Sequence, residues 1–178
     1  MFWQFIFGRI VFTNWLTGSW WRKPLGFRES ILAAFLCRIL GIFVKVHKLG
    51  VVAGADGMMR LARGLVRIPD VSFISWDRLP GRKIPKKPIP DLSPDLAIEV
   101  LSAGNTEKEM KRKLKDYFAC KVRMVWFVDP ELRTVEVFSS PSQSKVFKEG
   151  QGVSGGQVVP GLSLSVKYLF LELDTSRS

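Results

Sequence analysis

A single histidine, His47, and two well-separated cysteines, Cys37 and Cys120, are the chain's whole supply of imidazole and thiol. So few soft ligands exclude a zinc cluster built from this chain, and any Ser-His-Asp or Cys-His catalytic group would have to use His47. His47 follows a helix-length apolar run and stands between Lys45 and Lys48, the setting of an exposed residue at a helix end rather than of a general base. The cysteines lie in apolar stretches and read as small buried hydrophobes of a reducing compartment, which points to the cytoplasm. Long hydrophobic runs are missing too. Residues 1–28 hold four of the six tryptophans, but Arg9 and Asn14 interrupt them, so no run reaches the roughly 18 residues of a membrane-spanning helix. No signal-peptide pattern is present either. Residues 1–28 are expected to form a divergent, poorly ordered segment, with membrane contact through Trp, Arg and Lys as the lesser alternative.

Acidic residues are also scarce. Sixteen Asp and Glu face 27 Lys and Arg, a net charge of +11, which favours a polyanionic partner such as nucleic acid or an anionic membrane. Seven basic residues and one acidic residue fall in positions 1–48, and eleven basic with six acidic in 81–123. The hydrophobic fraction of 47% and the length of 178 residues are those of one ordinary globular domain. Its bounds are expected at 29–172, with a short tail at 173–178.

The pattern along the chain alternates in type. Residues 29–46 have the length and apolar content of a core helix, interrupted by Arg38, with Gly50 as its C-terminal cap. "VVAGAD" and "MMRLA" suggest a hairpin leading into a strand at 65–75. A loop with four prolines follows over 77–92. Its "GRKIPKK" segment could touch phosphates or keep the loop solvated, and the second reading is favoured. A strand at 95–101, a helix at 106–119 and strands within 123–147 complete a mixed α/β order. The end, "GGQVVPGLSLSVKYLF", is a turn, a short extended piece and a last apolar anchor.

Two of these strands carry carboxylates directly after proline: Asp70 in "RIPDVSF" and Asp95 in "SPDLAIEVLS", the latter with Glu99 as well. Successive strand side chains alternate between faces. Leu96, Ile98 and Val100 therefore share one face, and Asp95, Ala97, Glu99 and Leu101 the other. Asp70 lies opposite Val71 and Phe73. Were the two strands neighbours, Asp70 and Glu99 would converge, an arrangement costly to bury unless a cation lies between them or one stays protonated. A hard divalent ion, Mg²⁺ or Mn²⁺, resolves that cost. Pairing with a cross-strand Arg or Lys, or exposure to solvent, resolves it equally.

The helix at 106–119 begins with a capping box, Thr106 and Glu109. Its apolar stripe is Met110, Leu114, Tyr117 and Phe118, bordered by Lys113 on the Tyr117 side and Lys111 on the Phe118 side. One of these lysines can reach the acidic face with its stem on apolar surface. Periodicity does not choose between them, and a solvated charged flank needs neither.

Taken in order, "RIPDVSF", "PDLAIEVLS", "KLKDYFACKVRMVWFVDP", "RTVEVF" and "GGQVVPGLSLSVKYLF" resemble the Uma-type putative restriction endonuclease family of the PD-(D/E)XK nuclease superfamily, over about residues 30–170. The resemblance implies a restriction-endonuclease-like core, a mixed β-sheet flanked by helices. It implies a Mg²⁺- or Mn²⁺-dependent endonuclease hydrolysing DNA, with Asp70 and Glu99 as metal ligands beside a backbone carbonyl near Val100. The superfamily's usual lysine position is Leu101 here, so the resemblance is to variants with the lysine on the following helix. The "KLKDY" match then selects Lys113 as the third catalytic residue. Asp95 is expected as an auxiliary ligand or a structural polar group. Arg82, Lys83, Lys86, Lys87, Lys111 and Arg112 are candidates for contact with the nucleic-acid backbone, and a homodimer would suit cutting of both strands. Residues 1–28 depart from the family's strand-rich lead-in. The alternative is a non-catalytic nucleic-acid-binding or interaction module on the same fold, an inactive copy.

Overall fold

A computed structural model describes residues 25–174, together with the backbone of two short strands, β1 (Phe12–Asn14) and β2 (Gly18–Trp20), which pair antiparallel. The other expectations for residues 1–24 and for 175–178 lie outside the described residues. From Phe27 to Val46 the chain forms α1. Leu32, Leu36, Leu40 and Val44 recur every fourth position and are all buried, giving one continuous stripe along the helix.

That stripe packs on a six-stranded sheet. Its strands are β3 (Gly50–Ala53), β6 (Val71–Ser75), β7 (Leu96–Val100), β8 (Met124–Asp129), β9 (Thr134–Ser140) and β10 (Gln143–Lys148), in the order β10-β9-β8-β7-β6-β3. Every neighbouring pair is antiparallel except β7 with β8. Parallel neighbours need a crossover, and α2 (Glu107–Ala119) supplies it. Thr106 caps α2, its hydroxyl accepting the Glu109 N–H at 3.2 Å.

The two helices take opposite faces of β7. Leu96, Ile98 and Val100 join Leu32, Leu36 and Leu40 of α1 in the main core, whereas Ala97 joins Met110, Leu114 and Tyr117 of α2. Each large apolar side chain buried this way contributes about 1.5–3 kcal/mol. β7 is therefore covered on both sides, and its acids lie under a helix rather than toward solvent. The hairpin of β11 (Gly152–Ser154) and β12 (Ser163–Ser165), with α3 (Val166–Phe170), closes the α1 side through Val153, Val166, Leu169 and Phe170.

Three local expectations are corrected. First, α1 is closed by the backbone N–H of Leu49 donating to the Val44 carbonyl at 3.0 Å, with Lys48 at φ 55° in the left-handed region. Gly50 is no cap. It begins β3, where a Cβ would lie 2.0 Å from the Ile74 carbonyl oxygen. Second, "VVAGAD" does not pair with "MMRLA". β3 pairs with β6, while β4 (Met59–Ala62) pairs with β5 (Leu65–Arg67) in a separate ribbon. Third, the strand expected at 65–75 is two strands, broken at Ile68, Pro69 and Asp70. Pro69 removes a backbone donor, which ends the pairing of β5.

Candidate active site

β6 and β7 are antiparallel neighbours with Val71 opposite Ile98. One step further along the ladder brings Asp70 to the level of Glu99, both on the face that α2 covers. Contact between the two segments is direct: Asp70 Oδ2 accepts the backbone N–H of Val100 at 2.8 Å. Asp70 and Glu99 retain only 6% and 3% of their exposure.

Two groups of α2 reach Glu99. Lys113 Nζ donates to Oε2 at 2.9 Å, and the Tyr117 hydroxyl donates to Oε1 in a short hydrogen bond. Residues four apart lie on the same side of a helix, so one turn of α2 serves both oxygens. Lys113 also lies 4.0 Å from Glu109, and a quarter of its side chain remains in contact with solvent. Lys111, the other flanking lysine, turns outward to pair with Glu107.

Tyr117 is fully buried, and that burial pushes its phenol well above the ordinary tyrosine value. The negative charge of Glu99 and the hydrogen bond to it push further the same way, while Arg67 opposes them. The hydroxyl is therefore a permanent donor. Sequence periodicity placed Tyr117 among core residues; its offset of four from Lys113 was the available signal that both meet the same carboxylate.

Arg67, the last residue of β5, pairs closely with Asp116 of α2, and both side chains are largely enclosed. This tie joins the segment leading to Asp70 to the helix bearing Lys113 and Tyr117. Asp95 is not part of the group. Four residues from Glu99, it lies about 13 Å away along the strand. There Oδ2 accepts the Ser75 N–H at 2.8 Å, and Oδ1 meets Arg78 at 3.2 Å and Arg123 at 3.6 Å. That is the arrangement of the structural polar group rather than of an auxiliary ligand.

Of the candidate nucleic-acid contacts, Arg82 pairs with Asp77 at 2.9 Å, Lys87 with Asp91 at 2.6 Å, and Lys111 with Glu107. All three pairs are exposed, hence weak and exchangeable. A concavity of about 600 Å³ extends from Leu101 and Phe127 across β9 and β10. Asp129, Glu136 and Glu149 against Arg133 and Lys148 line it, which makes it unsuited to a polyanion.

Among the described residues no three of His, Cys, Asp and Glu gather as a metal-ligand cluster. The pair Asp70 and Glu99 nonetheless fits a hard divalent ion, because Mg²⁺ commonly takes only one or two carboxylates and fills its shell with water and phosphate oxygens. The donor set is all oxygen and excludes nothing that such an ion requires.

A mixed sheet flanked by helices, with one buried acid on β7, another at the entry to β6 and a lysine on the first of them, is a restriction-endonuclease-like core. The chain belongs to the family described as "Uma2: Putative restriction endonuclease", which it matches over residues 9–167. It is also similar to the crystal structure of a putative nuclease belonging to DUF820 from Anabaena variabilis ATCC 29413, with a TM-score of 0.72 and 23% identity over 85% of this chain and 84% of that one. At that identity the likeness shows the fold. No curated protein matches the chain. Restriction-endonuclease-like families generally use divalent metal ions. No helix of the described residues is long and apolar enough to cross a membrane.

Proposed function

We propose that the protein is a divalent-metal-dependent DNA endonuclease whose catalytic residues are Asp70, Glu99 and Lys113. The observation that carries this reading is the meeting of a buried Asp–Glu pair from β6–β7 with the Lys113 ammonium, 2.9 Å from Glu99. Asp70 and Glu99 would hold Mg²⁺ or Mn²⁺. When bound, the ion supplies an acidified water and positive charge against the scissile phosphate. Lys113 has three N–H donors. One holds Glu99, and the others serve to orient the attacking water or meet a phosphoryl oxygen. The water oxygen would bond to phosphorus as the water gives up a proton to solvent, the bond to the leaving sugar oxygen would break, and that oxygen would take up a proton from solvent.

Lys83, Lys86 and Arg112 make no ion pair among the described residues, and Arg82, Lys87 and Lys111 hold only exposed partners. Together they supply a phosphate-gripping rim whose affinity falls with salt. A homodimer would present two sites to the two strands. Two free thiols, Cys37 and Cys120, suit a cytoplasmic setting.

One observation favours a second reading. Lys113 and Tyr117 already give each oxygen of Glu99 a donor, so that carboxylate is paired without a metal ion, as a non-catalytic binding module would need. Supercoiled plasmid separates the two. The nuclease nicks it with Mg²⁺ or Mn²⁺, not with EDTA, and loses activity in Glu99→Gln and Lys113→Ala. Salt-sensitive binding by folded protein with no nicking on methylated or unmethylated plasmid would establish the binding module instead.

A further inference from the structure

We propose that Tyr117 is a positioning residue for the metal site, acting through its hydroxyl on Glu99; the inference rests on Asp70 and Glu99 being metal ligands. The ring of Tyr117 packs with Ala97, Leu114 and Val125 in the core beneath α2. Phenylalanine would fill that apolar space equally well. What phenylalanine lacks is the hydroxyl, and the hydroxyl goes to Glu99 Oε1. A glutamate loses considerable rotamer freedom when its carboxylate is fixed. Here the fixing groups come from a rigid helix already anchored by packing. Lys113 holds the second oxygen at 2.9 Å, so the carboxylate plane is set by two donors one helical turn apart. An ionised carboxylate offers about four acceptor positions. Two are used, and the rest remain for a cation. Lys113 supplies charge that a bound ion partly replaces, whereas the neutral phenol supplies orientation that persists in either state. Tyr117 therefore determines how well Glu99 is prepared for the ion before it arrives.

The test is Mn²⁺ binding to the metal-free protein, measured by calorimetry on wild type, Glu99→Gln, Tyr117→Phe and Phe118→Leu. Phe118→Leu loosens the same helix without touching Glu99. Wild type should bind Mn²⁺, Glu99→Gln should bind it poorly, and Tyr117→Phe should weaken binding about 10–100-fold, as loss of a group that orients a ligand does. Phe118→Leu should bind as wild type does. Equal affinity in wild type and Tyr117→Phe overturns the positioning role. Equal weakening in Phe118→Leu overturns it too, since helix packing alone would then account for the effect. Absence of binding by wild type overturns the metal reading itself, and the positioning role with it. Tyr168→Phe leaves Tyr117 as the one tyrosine of the chain. Ultraviolet resonance Raman of that variant reads the phenol's hydrogen bond without removing it, should Tyr117→Phe not fold. A tyrosine marker at the hydrogen-bond-donor position both without and with Mn²⁺ supports the role; loss of that position in either state overturns it.

Discussion

Lys113 places its ammonium 2.9 Å from the carboxylate of Glu99, fourteen positions back in the chain and under the helix that carries it. Removing one partner of such an enclosed pair strands the other. Lys113→Met should lower stability of the metal-free protein by about 2 kcal/mol, less than a fully buried pair because the lysine retains solvent contact. Glu99→Gln keeps one carbonyl acceptor but turns an NH₂ toward the other donor and removes the charge facing Lys113, so it should cost a similar amount. A double-mutant cycle in urea should give a coupling of at least about 1 kcal/mol. A coupling near zero would show that solvent, not Glu99, holds the lysine.

The pair of Arg67 with Asp116 links β5 to α2. Asp116→Ala leaves a largely enclosed guanidinium, whose Nε already lacks a hydrogen-bond partner, and should destabilise by about 2 kcal/mol. The joint replacement Arg67→Met with Asp116→Leu should recover most of that loss. Thermal unfolding of the two variants decides the matter, and a joint replacement no more stable than Asp116→Ala would count against the link.

Near the end of α1 two positions separated by one residue should respond oppositely. Lys48 has a left-handed backbone at φ 55°, so Lys48→Gly should stabilise by about 0.5–1 kcal/mol. Gly50 has the Ile74 carbonyl where a Cβ would go, so Gly50→Ala should destabilise by about 1–3 kcal/mol. Chemical denaturation that ranked them the other way would put the helix cap back at Gly50.

Arg133 grips Asp174 with two hydrogen bonds, at 2.9 and 2.8 Å, just beyond α3. This holds the Asp174 carboxyl below its ordinary value. A lowered folded-state value means the clamp is complete above the carboxyl's unfolded value and is lost as pH falls through the folded one. Relative to the intrinsic amide rate at each pH, hydrogen exchange over 166–174 should therefore be slow at neutral pH and become faster as pH falls below about 4. Asp174→Asn should exchange fast at both; an unchanged profile in that variant would remove the clamp from the account.

The acids of β7 were legible because strand alternation is a local rule: once Ile98 is assigned inward, Glu99 has one place to go. The capping box made the start of α2 equally plain. Pairing was not legible. β3 finds its partner in β6, beyond the whole β4–β5 ribbon, and no local pattern reports a contact made across such an interval. Lys113 and Lys111 are equivalent by helical angle; what separates them is where β7 lies, which only the tertiary fold decides. Tyr117 was read by its ring, which is apolar, while its function follows from an oxygen whose partner is 18 positions away.

The crossover of β7 to β8 through α2 also has a consequence for how such a site varies. Glu99, Lys113 and Tyr117 ride on one uninterrupted strand–helix unit, so drift elsewhere leaves their mutual placement intact. Asp70 arrives from a different segment, at the entry to β6, 30 positions before the Val100 amide that it meets. Slippage of β6 by a single residue would turn Asp70 to the opposite face. Such a protein would keep every residue of the motif and still be disarmed, an outcome that inventorying side chains in a sequence would never detect.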